Sequence, residues 1–577
     1  MGLTSQANYL SVKAGKSGIR VFEPGSHGIP DGFTASLIDD AVIGDLRAEQ
    51  NTASEGDALA NMSRFELLAL SSARKALQAS SLDVEKHKVV LILSTTKGDV
   101  ESLANVSHRE PYLADVAHKI ALSLGNHVNA IVVCNACISG LSAIILANRL
   151  IDAGEYEAAI VCGCDCPDRF IISGFQSLKA LSTSPCRPFD MERFGLNLGE
   201  AAATLVLANT SLASLLADKN KQKEVRWNLH HGFVKNDAFH VTSPAKDGIG
   251  LRQALMETLQ GVEIADLSFV NAHGTATLFN DQMESVAIEK AGLSLVPTNA
   301  LKGYFGHTLG AAGILETIVS MRAADDSTIL ATRGFEELGV SGKINMIAEN
   351  RSSDKTSFIK MLSGFGGCNA SLLAERDKCP LASSPSAHTP LVIKQTHRVK
   401  ITPDEADVDG KLLARKGEGD FVTSLYKTHV GSYPKYYKMD ALSRLGFVAS
   451  ELLLAAEGEE RFVKRNDRAI ILCNRSSSIC SDRKYLESIQ DKDNYFPSPS
   501  VFVYTLPNIV TGEIAIRNGY QGETSFYILS ENDGKEMEIL LRTAFADPQT
   551  RSVLGGWLDA EDATRFEAEL ALYQVER

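Results

Sequence analysis

The chain has 577 residues, 44% of them hydrophobic, and a formal net charge of −13. That length predicts two or three domains with a large buried core, and the acidic balance argues against nonspecific nucleic-acid binding, which needs basic patches. No apolar run is long enough to span a membrane, and Met1-Gly-Leu-Thr-Ser-Gln has no basic start leading into an apolar stretch, so a cytoplasmic protein is expected.

Met62-Ser-Arg-Phe-Glu-Leu-Leu-Ala-Leu-Ser opens a helix with Ser63 as its N-cap. Val89–Leu93, Ile131–Val133 and Ala158–Val161 read as buried strands. Residues 138–153 are apolar nearly all round and read as a buried helix. Strands alternating with helices predict an α/β fold with parallel or mixed sheets. Residues 375–391, including Lys378-Cys-Pro-Leu-Ala-Ser-Ser-Pro, are rich in Ser and Pro without periodicity and mark a linker. Beyond it the order of elements partly repeats. Met439-Asp-Ala-Leu-Ser starts a helix capped by Asp440, Ala469–Leu472 is a strand, and Gly519 precedes a short strand as Gly125 does. A duplicated half-domain is expected.

Ten cysteines in a chain this long are not a disulfide framework. Cys162, Cys164 and Cys166 alternate along a strand, with no His or Cys partner at ligand spacing, so no metal site is expected. Cys134-Asn-Ala-Cys137-Ile-Ser-Gly lies between a strand and the buried helix. A thiol at a helix start feels the positive end of the helix dipole, which favours thiolate, and free N–H groups there can hold an oxyanion. The residues alone fit a core cysteine equally well. Asn271-Ala-His273-Gly-Thr-Ala-Thr follows the apolar run Leu267-Ser-Phe-Val, at a strand end. In Lys302-Gly-Tyr-Phe-Gly-His307-Thr-Leu-Gly-Ala-Ala-Gly-Ile-Leu-Glu316, small residues after His307 let a helix pack closely, and Lys302 and Glu316 can pair. Gly364-Phe-Gly-Gly is a turn that lets backbone approach a substrate, without the spacing of a phosphate loop.

Taken with Arg187-Pro-Phe-Asp190 and Gly199-Glu200, these segments resemble the β-ketoacyl synthase family in order and spacing over nearly all of residues 1–378. The resemblance implies a thiolase-like layered fold of two similar α/β halves, residues 1–210 and 211–378. A linker at 379–391 and a truncated half-copy at 392–577 would follow. It implies that Cys137 takes an acyl chain as a thioester, and that His273 and His307 promote decarboxylation of a malonyl donor and hold the enolate. Lys302 and Glu316 match the supporting ion pair. The N–H groups of Cys137 and Phe365 match the oxyanion hole, and Phe365 the gate. Thr275, Thr277 and Gly366 are expected at the substrate pocket. The substrates would be thioesters of an acyl carrier protein, in fatty-acid or polyene/polyketide elongation, with no other cofactor.

The departures are Ala276 and Asn280, where the family has Gly, and Cys368, where it commonly has Thr. The family also has a strand ahead of a segment like Gly2-Leu-Thr-Ser-Gln. A central core strand is therefore expected to be missing, through a misplaced start codon, and its return to raise the melting temperature. The half-copy carries no nucleophile or His loop, so it should be silent. Its strand Thr524–Leu529 is expected to pair antiparallel with Ala130–Cys134 in an intramolecular pseudo-dimer, the alternative being a homodimer. Ser498, Val501 and Thr505 would then lie near the acyl tunnel. The competing readings are a degradative thiolase, which would use a second cysteine as acid/base, and a non-catalytic chain-length partner, which would lack the nucleophile; the expected loss of the first strand keeps a decayed or mis-translated enzyme as a version of the latter.

Overall fold

The computed structural model describes residues 1–53, 62–105, 112–125, 127–220, 227–376, 391–414, 420–491 and 494–575; the expected linker lies almost wholly outside them, at 377–390. Local signals in the sequence set the ends of the elements. Helix α1 (Arg64–Ser80) begins at Ser63, whose hydroxyl accepts the Glu66 N–H while the Glu66 carboxylate accepts the Ser63 N–H, so two otherwise free helix donors are satisfied. The equivalent helix in the C-terminal region (Ala441–Leu454) is capped by Asp440, which accepts the Ser443 N–H.

Fourteen strands among the described residues build three similar units. The first unit has β1 (Val89–Ser94), β2 (Asn129–Val133), β3 (Ala158–Asp165) and β4 (Ala201–Ala208), side by side in the order β2-β1-β3-β4. The second has β5 (Trp227–Asn236), β6 (Leu267–Asn271), β7 (Pro297–Asn299), β8 (Ser357–Gly364) and β9 (Cys368–Arg376), in the order β7-β6-β8-β9-β5. The third has β10 (Ile393–Ile401), β11 (Arg468–Asn474), β12 (Thr524–Ile528), β13 (Ser552–Ala560) and β14 (Phe566–Val575), in the order β12-β11-β13-β14-β10. In each unit the inner strands run parallel and the last is antiparallel to its neighbour. β1, β3 and β11 are buried along their whole length, as unbroken apolar runs demand.

This three-fold comparison corrects one expectation. In the second and third units the opening strand, β5 or β10, lies outside the last strand and antiparallel to it. The equivalent place in the first unit is beside β4, where no described strand pairs. By this pattern an opening strand of the first unit would lie at the sheet edge and not at its centre, bonded on one side only.

Between the two sheets of residues 1–376 lie α2 (Ser139–Asp152) and α3 (Ala312–Asp325), one from each unit. A Cβ on Gly140 would meet the Gly310 carbonyl at 2.8 Å, and one on Gly313 would meet the Leu141 nitrogen at 2.4 Å. The helices therefore touch backbone to backbone, which the small residues after His307 permit. This contact brings the N-terminal ends of both helices, and the turns that precede them, to one point.

The third unit is joined to the first by a shared sheet. β12 runs antiparallel to β2, with Tyr527 opposite Val133 and Ile528 opposite Val132, and the Cys134 N–H donates to the Phe526 carbonyl at 3.0 Å. The expected pairing is present over a shorter stretch, and it makes one sheet of eleven described strands. Three buried ion pairs cross the same interface: Lys97–Asp482 at 2.5 Å, Arg149–Glu523 at 2.7 Å and Lys235–Asp547 at 2.6 Å. In all three the cation belongs to residues 1–376 and the carboxylate to the third unit.

Candidate active site

The strand-to-helix turn around Cys137 is tightly built. β2 stops at Val133, Cys137 sits in a single 3-10 turn (Ala136–Ile138), and α2 starts at Ser139. Ala136 has φ +48°, a left-handed conformation that costs a residue with a Cβ on the order of 1 kcal/mol or more. Neighbouring contacts hold the turn. The Asn135 N–H donates to Ser139 Oγ at 2.8 Å, and Asn135 Oδ1 accepts the N–H of Phe526 in the third unit at 2.7 Å. Cys134 is buried, and burial pushes its thiol far up, which makes it inert. The expectation that the helix start favours a thiolate at Cys137 is not met. Burial pushes that thiol up to about 11, against smaller opposing effects of Lys302 and of the N–H groups of Phe365 and Cys137 itself. The dipole is a surface-scale effect of about 1 kcal/mol, and desolvation outweighs it. The resting sulfur is a protonated thiol, with two backbone donors aimed at it.

His273 ends the segment that follows β6, and His307 precedes the turn into α3. Their rings lie 5.0 Å apart, nearly perpendicular, and one donor atom each from Cys137, His273 and His307 falls within 4.8 Å of the other two. That set has the chemistry of a soft-metal site as well as of a catalytic triad, but Lys302 and Lys360 beneath it oppose a cation. The Glu284 carboxylate accepts the N–H groups of His273 and Gly274, at 2.7 and 2.8 Å. His307 Nδ1 accepts the Leu309 N–H at 3.1 Å, which places the ring proton on Nε2. His307 Nε2 and His273 Nδ1 are both buried without a protein partner. Burial, reinforced by Lys302 and Lys360, holds both imidazoles well below the ordinary histidine range. At neutral pH the site therefore offers uncharged rings, His307 with a free N–H.

Below the histidines Lys302 donates to the His273 carbonyl and to Glu316 Oε1, each at 2.8 Å. The other carboxylate oxygen, Oε2, takes Lys360 at 2.6 Å. Burial would raise the Glu316 carboxyl, but the two lysines win and hold it below its usual value. Lys360 was not anticipated from the sequence; the available signal was one charge in the otherwise neutral strand Ser-Phe-Ile-Lys-Met-Leu-Ser-Gly.

The remaining expected residues divide. Thr275 and Thr277 share a hydrogen bond at 2.9 Å beside His273. Between them Ala276 adopts φ +61°, so the Gly-to-Ala departure is accommodated as strain and not by a changed turn. Gly366, at φ +89°, packs so closely on the third unit that a Cβ there would lie 2.7 Å from Asn508 Nδ2. A small cavity of about 20 Å³ adjoins Cys137, lined by Ile171, Phe175, Leu309, Phe365, Phe502 and Leu506 among others. Ser498, Val501 and Thr505 do not line it. Ser498 bonds Ser500 at 3.2 Å, Val501 packs among the aromatic residues around Tyr485, and the Thr505 hydroxyl bonds the Phe502 carbonyl at 2.7 Å. Their segment does reach the cavity, through Phe502 and Leu506. Asn508 was also missed: its Nδ2 donates to the Phe365 carbonyl at 2.8 Å. A larger open groove of about 630 Å³, lined by Arg465 and Arg551, lies on the third unit and shares no residue with this site.

The profile described as "Beta-ketoacyl synthase, N-terminal domain" matches residues 4–213, and "Beta-ketoacyl synthase, C-terminal domain" matches residues 229–336. A 3-oxoacyl-[acyl-carrier-protein] synthase 2 of Rhizobium meliloti is 33% identical over 258 residues, covering 42% of this chain and 60% of that protein. One of Staphylococcus aureus is 28% identical over 343 residues, covering 54% and 84%. Among solved structures, a PfaC keto synthase–chain length factor aligns over 100% of this chain and 77% of its own, with TM-score 0.74 and 14% identity. The ishigamide ketosynthase/chain length factor aligns over 64% and 94%, with TM-score 0.55 and 24% identity. These two structural likenesses bear on fold alone.

Proposed function

This chain belongs to the β-ketoacyl synthase family, and from that premise we propose that it is a 3-oxoacyl-[acyl-carrier-protein] synthase, elongating fatty-acid or polyketide-type chains. Cys137 attacks the thioester of an acyl carrier; the carrier sulfur leaves and takes the thiol proton, and the acyl group stays on Cys137. A malonyl thioester then binds with its carbonyl oxygen toward His273 and His307. Its carboxylate leaves as carbon dioxide, and the bond electrons form an enolate that the two imidazoles hold. The enolate carbon attacks the acyl carbonyl. The oxygen that becomes negative faces the N–H groups of Cys137 and Phe365. Collapse releases the extended 3-oxoacyl thioester and returns the Cys137 sulfur, which regains a proton. One observation carries this reading: a thiol and two uncharged imidazoles meet within 4.8 Å, beside two free backbone donors.

The histidines serve the second half of this cycle more than the first. His273→Ala or His307→Ala is expected to leave measurable acylation of Cys137 while decarboxylation of a malonyl carrier falls by on the order of a hundredfold or more. Mass spectrometry of the acyl-enzyme and assay of released carbon dioxide separate the two steps. Undiminished decarboxylation in both variants would overturn the roles.

In the same proposal residues 1–210 and 211–378 form the condensing enzyme, and 392–577 act as a silent, permanently attached partner. Support comes from contacts that end in the site. Phe526 holds Asn135, Asn508 holds the Phe365 turn, and Phe502 lines the cavity while packing so closely on the neighbouring helix that a Cβ on Gly174 would lie 2.1 Å from its ring. Asn508→Leu keeps the volume and removes the donor. It is expected to slow acylation of Cys137 by on the order of tenfold with the fold retained. Unchanged acylation would show that the third unit does not tune the turn.

A further inference from the structure

Strand β8 carries one charge, Lys360, and its side chain is as completely buried as that of Lys302. Its ammonium lies 2.6 Å from Glu316 Oε2, 3.3 Å from the Ala272 carbonyl and 3.5 Å from the Asn271 carbonyl. Lys302 takes the other Glu316 oxygen and the next carbonyl along, that of His273. Three consecutive carbonyls at the end of β6 are thus capped by two lysines, and one carboxylate holds both. As a stability device this is poor. Lys302 alone balances Glu316, and each further charge taken out of water costs several kcal/mol before any return.

We propose that Lys360 is a positioning residue for the decarboxylation step: it pins the backbone that carries His273 and, with Lys302, sets two buried positive charges under the imidazole pair. The inference rests on the condensing-enzyme reading above. Its chemical sense lies in the leaving group. A histidine that became cationic would form an ion pair with the malonyl carboxylate and stabilise the state that must lose its charge. A neutral N–H donor polarises the thioester carbonyl without doing so. The charged and titratable groups around the two rings are Lys302, Lys360 from β8, Glu316 from α3, Glu284 from the helix after the His273 loop, with Asp281 beside Glu284, and the Cys137 thiol. Asp165, bonded to the Gly310 N–H at 2.6 Å, lies behind the His307 loop. Lys360 is among the causes that lower both histidines, and burial holds Lys360 itself at about 8. Its influence therefore fades above that pH and is full below it.

The test uses the whole chain as Lys360→Met, which leaves Lys302 and Glu316 paired and charge-balanced. Release of carbon dioxide from a malonyl carrier thioester is followed from pH 4 to 8.5, beside acylation of Cys137 by mass spectrometry. Decarboxylation at pH 6 is expected to fall at least tenfold, and its acid-side inflection to move up by about one pH unit, the direction that follows when a cation is removed from beside a histidine. Acylation is expected to fall much less. Lys360→Gln restores a neutral donor to the carbonyls. It should recover rate at pH 8 while keeping the raised inflection, and it decides the matter if the Met variant does not fold. A profile that overlays the wild type, or an equal loss of both steps with an unmoved inflection, overturns the role of Lys360. A wild-type enzyme that acylates but never decarboxylates overturns the condensing-enzyme reading instead.

Discussion

Cys137→Ala is expected to abolish the acyl-enzyme and with it all condensation. Its sulfur lies beside two backbone N–H donors and two uncharged imidazoles. Without it no covalent intermediate forms and the acyl group stays on its carrier. The loss should be at least a thousandfold, since a positioned donor set without its nucleophile retains only a small residue of activity. Cys134 tests the assignment from the other side. It is three residues away and buried, its side chain packs in the core, and burial keeps its thiol protonated. Cys134→Ala should cost about 1 kcal/mol of packing and leave acylation near wild type. Peptide mapping after incubation with an acyl carrier thioester reads both. Label on Cys134 with none on Cys137 would refute the placement of the nucleophile.

The meeting of Cys137, His273 and His307 and the Lys302–Glu316 pair were legible from the order and spacing of several motifs together, since each segment alone fits a structural role equally well. Helix starts at Ser63 and Asp440 were legible because capping is local. Three features were not, and each depends on something that chain order does not carry. The protonation of Cys137 is settled by burial from all sides, and the sequence exposes only the helix start. Phe502, not Val501, faces the cavity because one helical residue turns the side chain by about 100°, and the phase of that short helix (Pro499–Val503) is set by packing on Gly174. Lys360 pairs with Glu316 across a distance of forty-four residues in sequence, and nothing local marks it as more than an interruption in a strand. The expected central place of an opening strand fails for a related reason: in the second and third units the strand that comes first in sequence is the outermost in space.

Cutting the chain within 377–390 should give the second large effect. Residues 1–384 alone would expose the free edge of β2, where Val132 and Val133 pair with β12 in the whole protein, and an open edge invites pairing with another copy. The charge pattern sets what that pairing costs. Lys97, Arg149 and Lys235 are ion-paired with Asp482, Glu523 and Asp547 of the third unit. A self-pair through the same face would bury these cations with no carboxylate opposite, at about 3–5 kcal/mol for each one left unpaired. Expression of residues 1–384 is therefore expected to yield aggregate or a weak self-associated form, with acylation of Cys137 down at least tenfold, because Asn135 and the Phe365 turn lose Phe526 and Asn508. Any product it makes should differ in chain length, since Phe502 no longer closes the cavity. Co-expression of 385–577 as a separate chain supplies the three carboxylates and should restore a one-to-one complex and its acylation. Sedimentation and acyl-enzyme mass spectrometry report on both. A monomeric 1–384 that acylates at the wild-type rate and makes products of unchanged length would leave the third unit without a part in the reaction.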